Sequence, residues 1–268
     1  MERKFSNEEL EAMDPEDFRS IARRGEWTGF DLNVCRGYAQ ANLAIVPKDY
    51  AFEFLLFCQR NPSPCPVIDV TDPGDPHPKL MAPDADLRTD LPRYRIYQNG
   101  ELIDELTDVT KYWRDDLVAF LIGCSASFDW SLRAANVQFR LIGAYASNIQ
   151  CVPAGRFHGP MVISCRVVKN GHDAVRAVQI SSRLLKVHGP PVHIGDPAIV
   201  GIKDLYHPEF PASSYVAPHR EPSEIPIFWG CGVTPQKVAL ESKLPFMITH
   251  CPGHMFITDW LTEELAAL

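Results

Sequence analysis

The sequence predicts an α/β fold: a mostly parallel sheet with helices on both faces, assembled from both ends of the chain, plus a smaller inserted α+β unit. Three observations predict it. Asn42-Leu43-Ala44-Ile45-Val46, an apolar helix from Lys48 to Arg60, and Val67-Ile68-Asp69-Val70 follow one another as strand, helix, strand. Near the C-terminus the same order recurs in Ile225 to Trp229, a helix from Pro235 to about Ser242, and Phe246 to Thr249. Between these units, residues 137–186 turn strand-rich and end in one helix. The expected division is a main domain of 1–136 and 187–268 and a smaller unit of 137–186.

Ser6-x-x-Glu9 is a capping box and Asp14-Pro15 a cap followed by a first-turn proline, so two short helices are expected, the second stopping at Gly25. Thr71 to Pro92, rich in Pro and Asp and without periodicity, reads as a lid or a structural belt; Arg88 lies within it. Asn99-Gly100 between two alternating runs predicts a hairpin. Trp113 to Ile122 reads as a helix with Leu117, Phe120 and Leu121 on one face, followed by the small residues Gly123 to Ser127 and a second helix from Phe128 to Ala135. That loop precedes a helix N-terminus, which makes Ser125 a candidate anion ligand.

Strands are expected at Val137 to Ile142, Asn148 to Val152 and Met161 to Val168, then a helix marked by Val175, Val178, Leu184 and Leu185. Arg156 sits in the glycine-bearing link Pro153 to Pro160. Pro191 to Ile194 reads as a strand and Asp196-Pro197 as a helix start, so His193 flanks a strand-to-helix loop. In the last βαβ unit, Thr234 offers an N-cap hydroxyl. The loops Cys231 to Thr234 and His250 to His254 would then lie at the carboxyl ends of parallel strands, where open α/β sheets bind ligands.

The net charge of −8 and pI near 5.6 argue against nucleic-acid binding. No apolar run approaches the roughly 18 residues of a spanning helix, and the N-terminus lacks the apolar core of a secretory signal. Eight cysteines without a Cys-x-x-Cys pair give no zinc spacing and fit a reduced, cytoplasmic compartment.

Gln40-Ala41-Asn42-Leu43, Phe54 to Pro62, Asp86 to Tyr94, Trp113 to Val118, Ala154 to Phe157, His193 to Pro197, Gly232 to Gln236 and Pro252 to Met255 together resemble the D-glutamate cyclase family, whose bacterial members are catalogued as hydro-lyases. The resemblance spans nearly the whole chain after Thr28. It implies an α/β fold with a smaller companion unit, and dehydration of D-glutamate to 5-oxo-D-proline with no required nucleotide. Three positions depart from the pattern: Phe30 to Arg36 replaces a small-residue and proline run, Ala146 stands where an Arg is common, and Cys251 replaces an Ala.

Such a cyclisation needs proton exchange and carboxylate anchors. His254 is the expected proton-transfer group, with His250 or Asp259 as partner and His193 in reserve. Arg156 is the expected carboxylate anchor, with Ser125, Thr234, Asn148 and Arg88 as further substrate-binding candidates. The expected partner is a small amino dicarboxylic acid; no cofactor or metal is called for, and a homodimer is left open. Two alternatives compete: a metal-dependent hydro-lyase or hydrolase using His250, His254 and Asp259 or Asp196, and a non-enzymatic small-molecule binding protein.

Overall fold

The computed structural model describes residues 5–211 and 221–267. In chain order, α1 (Asn7–Ala12) and α2 (Pro15–Arg23) precede β1 (Tyr38–Pro47), α3 (Lys48–Arg60) and β2 (Val67–Val70). The hairpin β3 (Tyr94–Gln98) and β4 (Glu101–Leu106) is followed by β5 (Leu117–Gly123), α4 (Ala126–Ala134), β6 (Phe139–Gln150), β7 (Pro160–Val168) and α5 (Gly171–Ser181). Two short strands, β8 (His193–Ile194) and β9 (Phe210–Pro211), lead to β10 (Ile225–Gly230), α6 (Thr234–Ser242), β11 (Met247–His250) and β12 (Phe256–Leu261). The capping box forms as expected: the Glu9 N–H donates to Ser6 Oγ at 3.1 Å and the Ser6 N–H to Glu9 Oε2 at 2.7 Å. Asn99 and Gly100 take φ of 52° and 81°, the left-handed pair that a tight hairpin turn requires.

The mostly parallel sheet is not found. One sheet has seven strands in the order β2-β5-β1-β11-β3-β4, with β12 also on β1; a second has five, β8-β10-β7-β6-β9. Neighbours pair antiparallel throughout both. β1 and β2 do run the same way, as a strand-helix-strand unit should, but β5 lies between them and opposes both. β10 and β11 belong to different sheets, because the chain crosses from one to the other through α6. The parallel expectation failed because it took strands joined by a helix to be neighbours in one sheet.

Where a helix is expected from Trp113 to Ile122 the chain forms the strand β5, preceded by a 3-10 turn at Thr110–Tyr112. All seven residues of β5 are buried; a run apolar on every side fits a central strand as well as a helix. β6 joins two expected strands into one, broken by register shifts at Gly143 and beyond Ala146. The helix expected at Asp196-Pro197 is only the 3-10 turn Pro197–Val200.

Alternation along β1 places the site. Ala41, Leu43 and Ile45 join the core on one face of the first sheet, where Met81, Ala82, Ala85, Leu87 and Leu91 cover them, so Thr71 to Pro92 is a belt. Ala44 and Val46 point the other way, into a core shared with α3, β7 and β10 of the second sheet. By the period of two, Gln40 and Asn42 share that inner face. α4 and α5 pack over the second sheet through Phe128, Ala177, Val168 and Trp229.

Candidate active site

The site opens where the ladder on one side of β1 changes partner. β1 pairs with β11 at Ala44 and Ile45 and with β12 at Gln40 and Ala41. The loop from Cys251 to Met255 departs between them, leaving Asn42 and Leu43 without a strand partner on that side. The His250 ring fills the gap: the Leu43 N–H donates to its Nδ1 at 3.1 Å. A cleft of about 70 Å³ lies here between the two sheets, lined by Asn42, Cys124, Ser125 and His250 from the first and by Leu141, Gly143, Ser164, Arg166 and Cys231 from the second. One ordered water needs about 10–15 Å³, so the cleft suits a small molecule. A wider depression of about 510 Å³ between α4 and the C-terminal turn contains Arg36 and Arg133. They are engaged by Glu11 at 2.7 Å and Asn33 at 3.0 Å, so both cations there already have partners.

Arg166 is the cleft's main charged group. It is 1% exposed on β7 between the rings of Phe128 and Trp229, 4.7 and 5.6 Å from their centroids. Its Nε and Nη2 donate to the two carboxylate oxygens of Asp129 on α4, at 2.9 and 3.0 Å. Nη1 donates to Ser164 Oγ at 2.8 Å and Nη2 to Ser125 Oγ at 3.1 Å. Both hydroxyls accept from the guanidinium and the two Oγ atoms lie 3.5 Å apart, so at least one O–H remains for a ligand. Ser125 is also the N-cap of α4, where backbone N–H groups and the helix dipole favour an anion.

On the other side, Asn42 Nδ2 donates to the carbonyls of Ile122 and Gly123 at 3.3 and 3.0 Å, which leaves Oδ1 to accept. Gly232 makes room for this amide, since a Cβ there would lie 1.9 Å from Asn42 Nδ2. The His250 carbonyl accepts from Gln236 Nε2 at 2.6 Å. Burial pushes the Cys124 thiol up to about 12 and raises that of Cys231, so both line the cleft as neutral groups.

Four buried ionisable groups bear on the acid response. Burial pushes His188 and His250 down to about 4 and lowers His254, while it holds the Asp31 carboxyl well above the usual carboxylate range. Below about pH 6.5 the unfolded chain binds more protons at the three histidines and fewer at Asp31. Stability should therefore fall as the pH drops toward about 4, by about 1.4 kcal/mol per pH unit for each net proton. In Asp31→Asn the opposing contribution is gone and the slope should steepen. Urea unfolding midpoints at pH 6.5, 5.5 and 4.5 measure both; a flat profile in wild type and variant would contradict the assignment.

The structure brings two of the expected residues to the cleft, Ser125 and His250. His254 is next to it but is not a lining residue: its ring packs on Phe30 at 5.1 Å and Nδ1 donates to the Pro252 carbonyl at 3.0 Å. Asp259 pairs with buried Arg19 at 2.7 Å, and His193 Nε2 meets the Asp196 carbonyl at 2.8 Å. Arg156 lies in the loop between β6 and β7, paired with Glu53 of α3 at 3.1 Å and over the Tyr50 ring. Thr234 is the first residue of α6 rather than its N-cap, and its hydroxyl donates to the Cys231 carbonyl at 2.7 Å. Asn148 donates to the Ile199 carbonyl at 3.0 Å, and Arg88 pairs with Asp86 at 2.7 Å. Among the described residues, no group of three or more His, Cys, Asp or Glu is arranged to hold a metal ion. No helix among them is long and apolar enough to cross a membrane.

Sequence reasoning missed Arg166, Ser164, Asp129 and the role of Asn42. The available signal was polar residues inside otherwise apolar strands: Ser164 and Arg166 alternate within β7, and Gln40 and Asn42 within β1.

Residues 118–259, more than half of the chain, match the sequence model of the D-glutamate cyclase family. A protein of Bacillus subtilis strain 168 named "Putative hydro-lyase YcsI" is 52% identical over 262 residues, 96% of this chain and 100% of that one. The chain belongs to the D-glutamate cyclase family. Two further members are similarly related: hydro-lyase homologues so named from Bacillus licheniformis, 51% identical over 96% of this chain and 98% of its own, and from Streptomyces coelicolor, 50% identical over 96% and 93%. The family and these names are those of lyases. A nitrogen repressor-like protein, MJ0159 from Methanococcus jannaschii, superposes at a TM-score of 0.40 with 10% identity over 87% of this chain and 91% of that chain, too distant to carry an argument.

Proposed function

We propose that this member of the D-glutamate cyclase family dehydrates D-glutamate to 5-oxo-D-proline in the cleft between the two sheets. The observation that carries the reading is the Arg166 fork, which orients two serine hydroxyls toward one buried space at a helix N-terminus. Those hydroxyls and the remaining Nη1 hydrogen suit the substrate's α-carboxylate. Asn42 Oδ1 suits the amino group, because an amide oxygen accepts from it without a competing charge. The D configuration comes from the family; the dicarboxylate class is what the cleft supports.

In the reaction the amino nitrogen bonds to the γ-carbon and one γ-oxygen departs as water. Two protons leave the ammonium and two join the departing oxygen, so none is gained or lost overall. Attacker and target share one molecule, which supplies part of the proximity an enzyme must otherwise create. The protein's task is to hold the folded substrate and stabilise charge as it develops. Purified protein incubated with D- and L-glutamate separately should form 5-oxoproline from the D isomer above a no-enzyme control. No conversion of either isomer would sink this reading.

A further inference from the structure

We propose that His250 serves this reaction as a neutral hydrogen-bond donor, its Nε2–H directed at the γ-carboxyl oxygen that becomes the oxyanion. The inference rests on the cyclisation reading above and adds a role distinct from proton exchange. Its basis is the ring's fixed tautomer. The Leu43 N–H donates to Nδ1 at 3.1 Å, so Nδ1 is unprotonated and the ring hydrogen sits on Nε2. The Leu43 carbonyl is farther from Nδ1, at 3.3 Å, and a proton there would oppose the Leu43 N–H.

Nε2 is buried and has no protein partner among the described residues, although the side chain lines the cleft. A buried donor left unpaired costs on the order of 1–3 kcal/mol, and a ligand oxygen would relieve it. The ring is held at Nδ1, and the backbone that carries it is fixed. The residue closes β11 opposite Tyr94, and its carbonyl accepts from Gln236 Nε2 and from Thr249 Oγ1 at 3.0 Å. Turning the ring would break the Leu43 bond.

The charged and titratable neighbours act in one direction. Arg95 on β3 and His254 in the following loop both oppose a positive charge on His250, as does burial. The imidazole therefore stays neutral across the physiological range. When the nitrogen attacks the γ-carbon, the carbonyl π pair moves onto oxygen and the Nε2–H stabilises that charge without transferring its proton. As the C–O bond to the departing oxygen breaks, the pair returns and the carbonyl reforms. A donor already in place needs no reorganisation at that moment.

Two substitutions separate this role from a structural one. His250→Asn retains an acceptor near the Nδ1 position for the Leu43 N–H and removes the Nε2–H; His250→Gln places an amide N–H near the Nε2 position. His250→Asn should lower kcat about 10²–10³-fold with KM for D-glutamate within a few-fold, and His250→Gln should regain at least about tenfold of that loss. Nitrogen-15 NMR of the wild-type ring should give the neutral Nε2–H tautomer from pH 5 to 8. A His250→Asn variant as active as wild type, a Gln variant no better than Asn, or a cationic ring at pH 6 would each overturn the proposal. Absence of turnover in the wild type would remove the reaction and this role with it, whereas wild-type turnover matched by His250→Asn would remove only the donor role.

Discussion

Arg166→Met should abolish turnover and destabilise the protein by about 3–5 kcal/mol, because it leaves the Asp129 carboxylate buried without its partner. Loss of stability alone would not separate scaffold from site. The double variant Arg166→Met/Asp129→Leu removes both charges and fills the space with apolar groups, and such replacements of a buried pair are often neutral or stabilising. It should recover most of the stability and none of the activity. Urea unfolding and 5-oxoproline formation, measured on the same preparations, provide the comparison. A double variant that regains turnover with stability would make the pair purely structural. Arg166→Lys keeps the charge but not the planar fork that meets Asp129, Ser125 and Ser164 together, so its activity should also fall by at least about tenfold.

Gly232→Ala should lower kcat/KM by about 10²-fold or more although residue 232 carries no polar group. A methyl group 1.9 Å from Asn42 Nδ2 cannot coexist with the amide in its present place. Overpacking of this kind typically costs about 1–3 kcal/mol of stability, which leaves a folded protein to assay. Since the effect passes through Asn42, Asn42→Ala and Gly232→Ala should be strongly non-additive, the double variant being little worse than either single one. Additive losses would mean that Gly232 acts elsewhere.

The sequence was most informative where local chemistry decides structure. Ser6 with Glu9, Asn99-Gly100, and the helices α3 and α6 each carry their own capping, turn or apolar signal, and each forms. Strand direction was not legible, because β10 and β11 read the same whether α6 returns the chain to one sheet or carries it to another. β5 was taken for a helix because residues buried on all sides show no period. No strand was expected at β12, since Pro252 and Gly253 break the text just before it while its pairing with β1 is set by partners more than 200 residues earlier.

The site was half legible for the same reason. Loop residues beside glycine and proline attracted attention, and two of them, Ser125 and His250, line the cleft. The residues that give it polarity sit inside strands. Arg166 and Ser164 interrupt the apolar pattern of β7, and Asn42 that of β1; a buried arginine in a strand implies partners that only the fold brings to it. Arg156, attractive in sequence for its neighbouring glycine, has that glycine because a side chain at 155 would collide with Glu53, the partner that holds Arg156 on α3.

One cleft, between β1 and the face of β7, should hold the amino dicarboxylic acid. The most direct test is a crystal structure of the protein soaked with 5-oxo-D-proline. The product carboxylate should lie within hydrogen-bond distance, about 2.7–3.2 Å, of Ser125 Oγ and Ser164 Oγ, with the lactam carbonyl oxygen facing His250 Nε2. Product bound instead at Arg156 beside α3, or in the depression between α4 and the C-terminal turn, would contradict this placement.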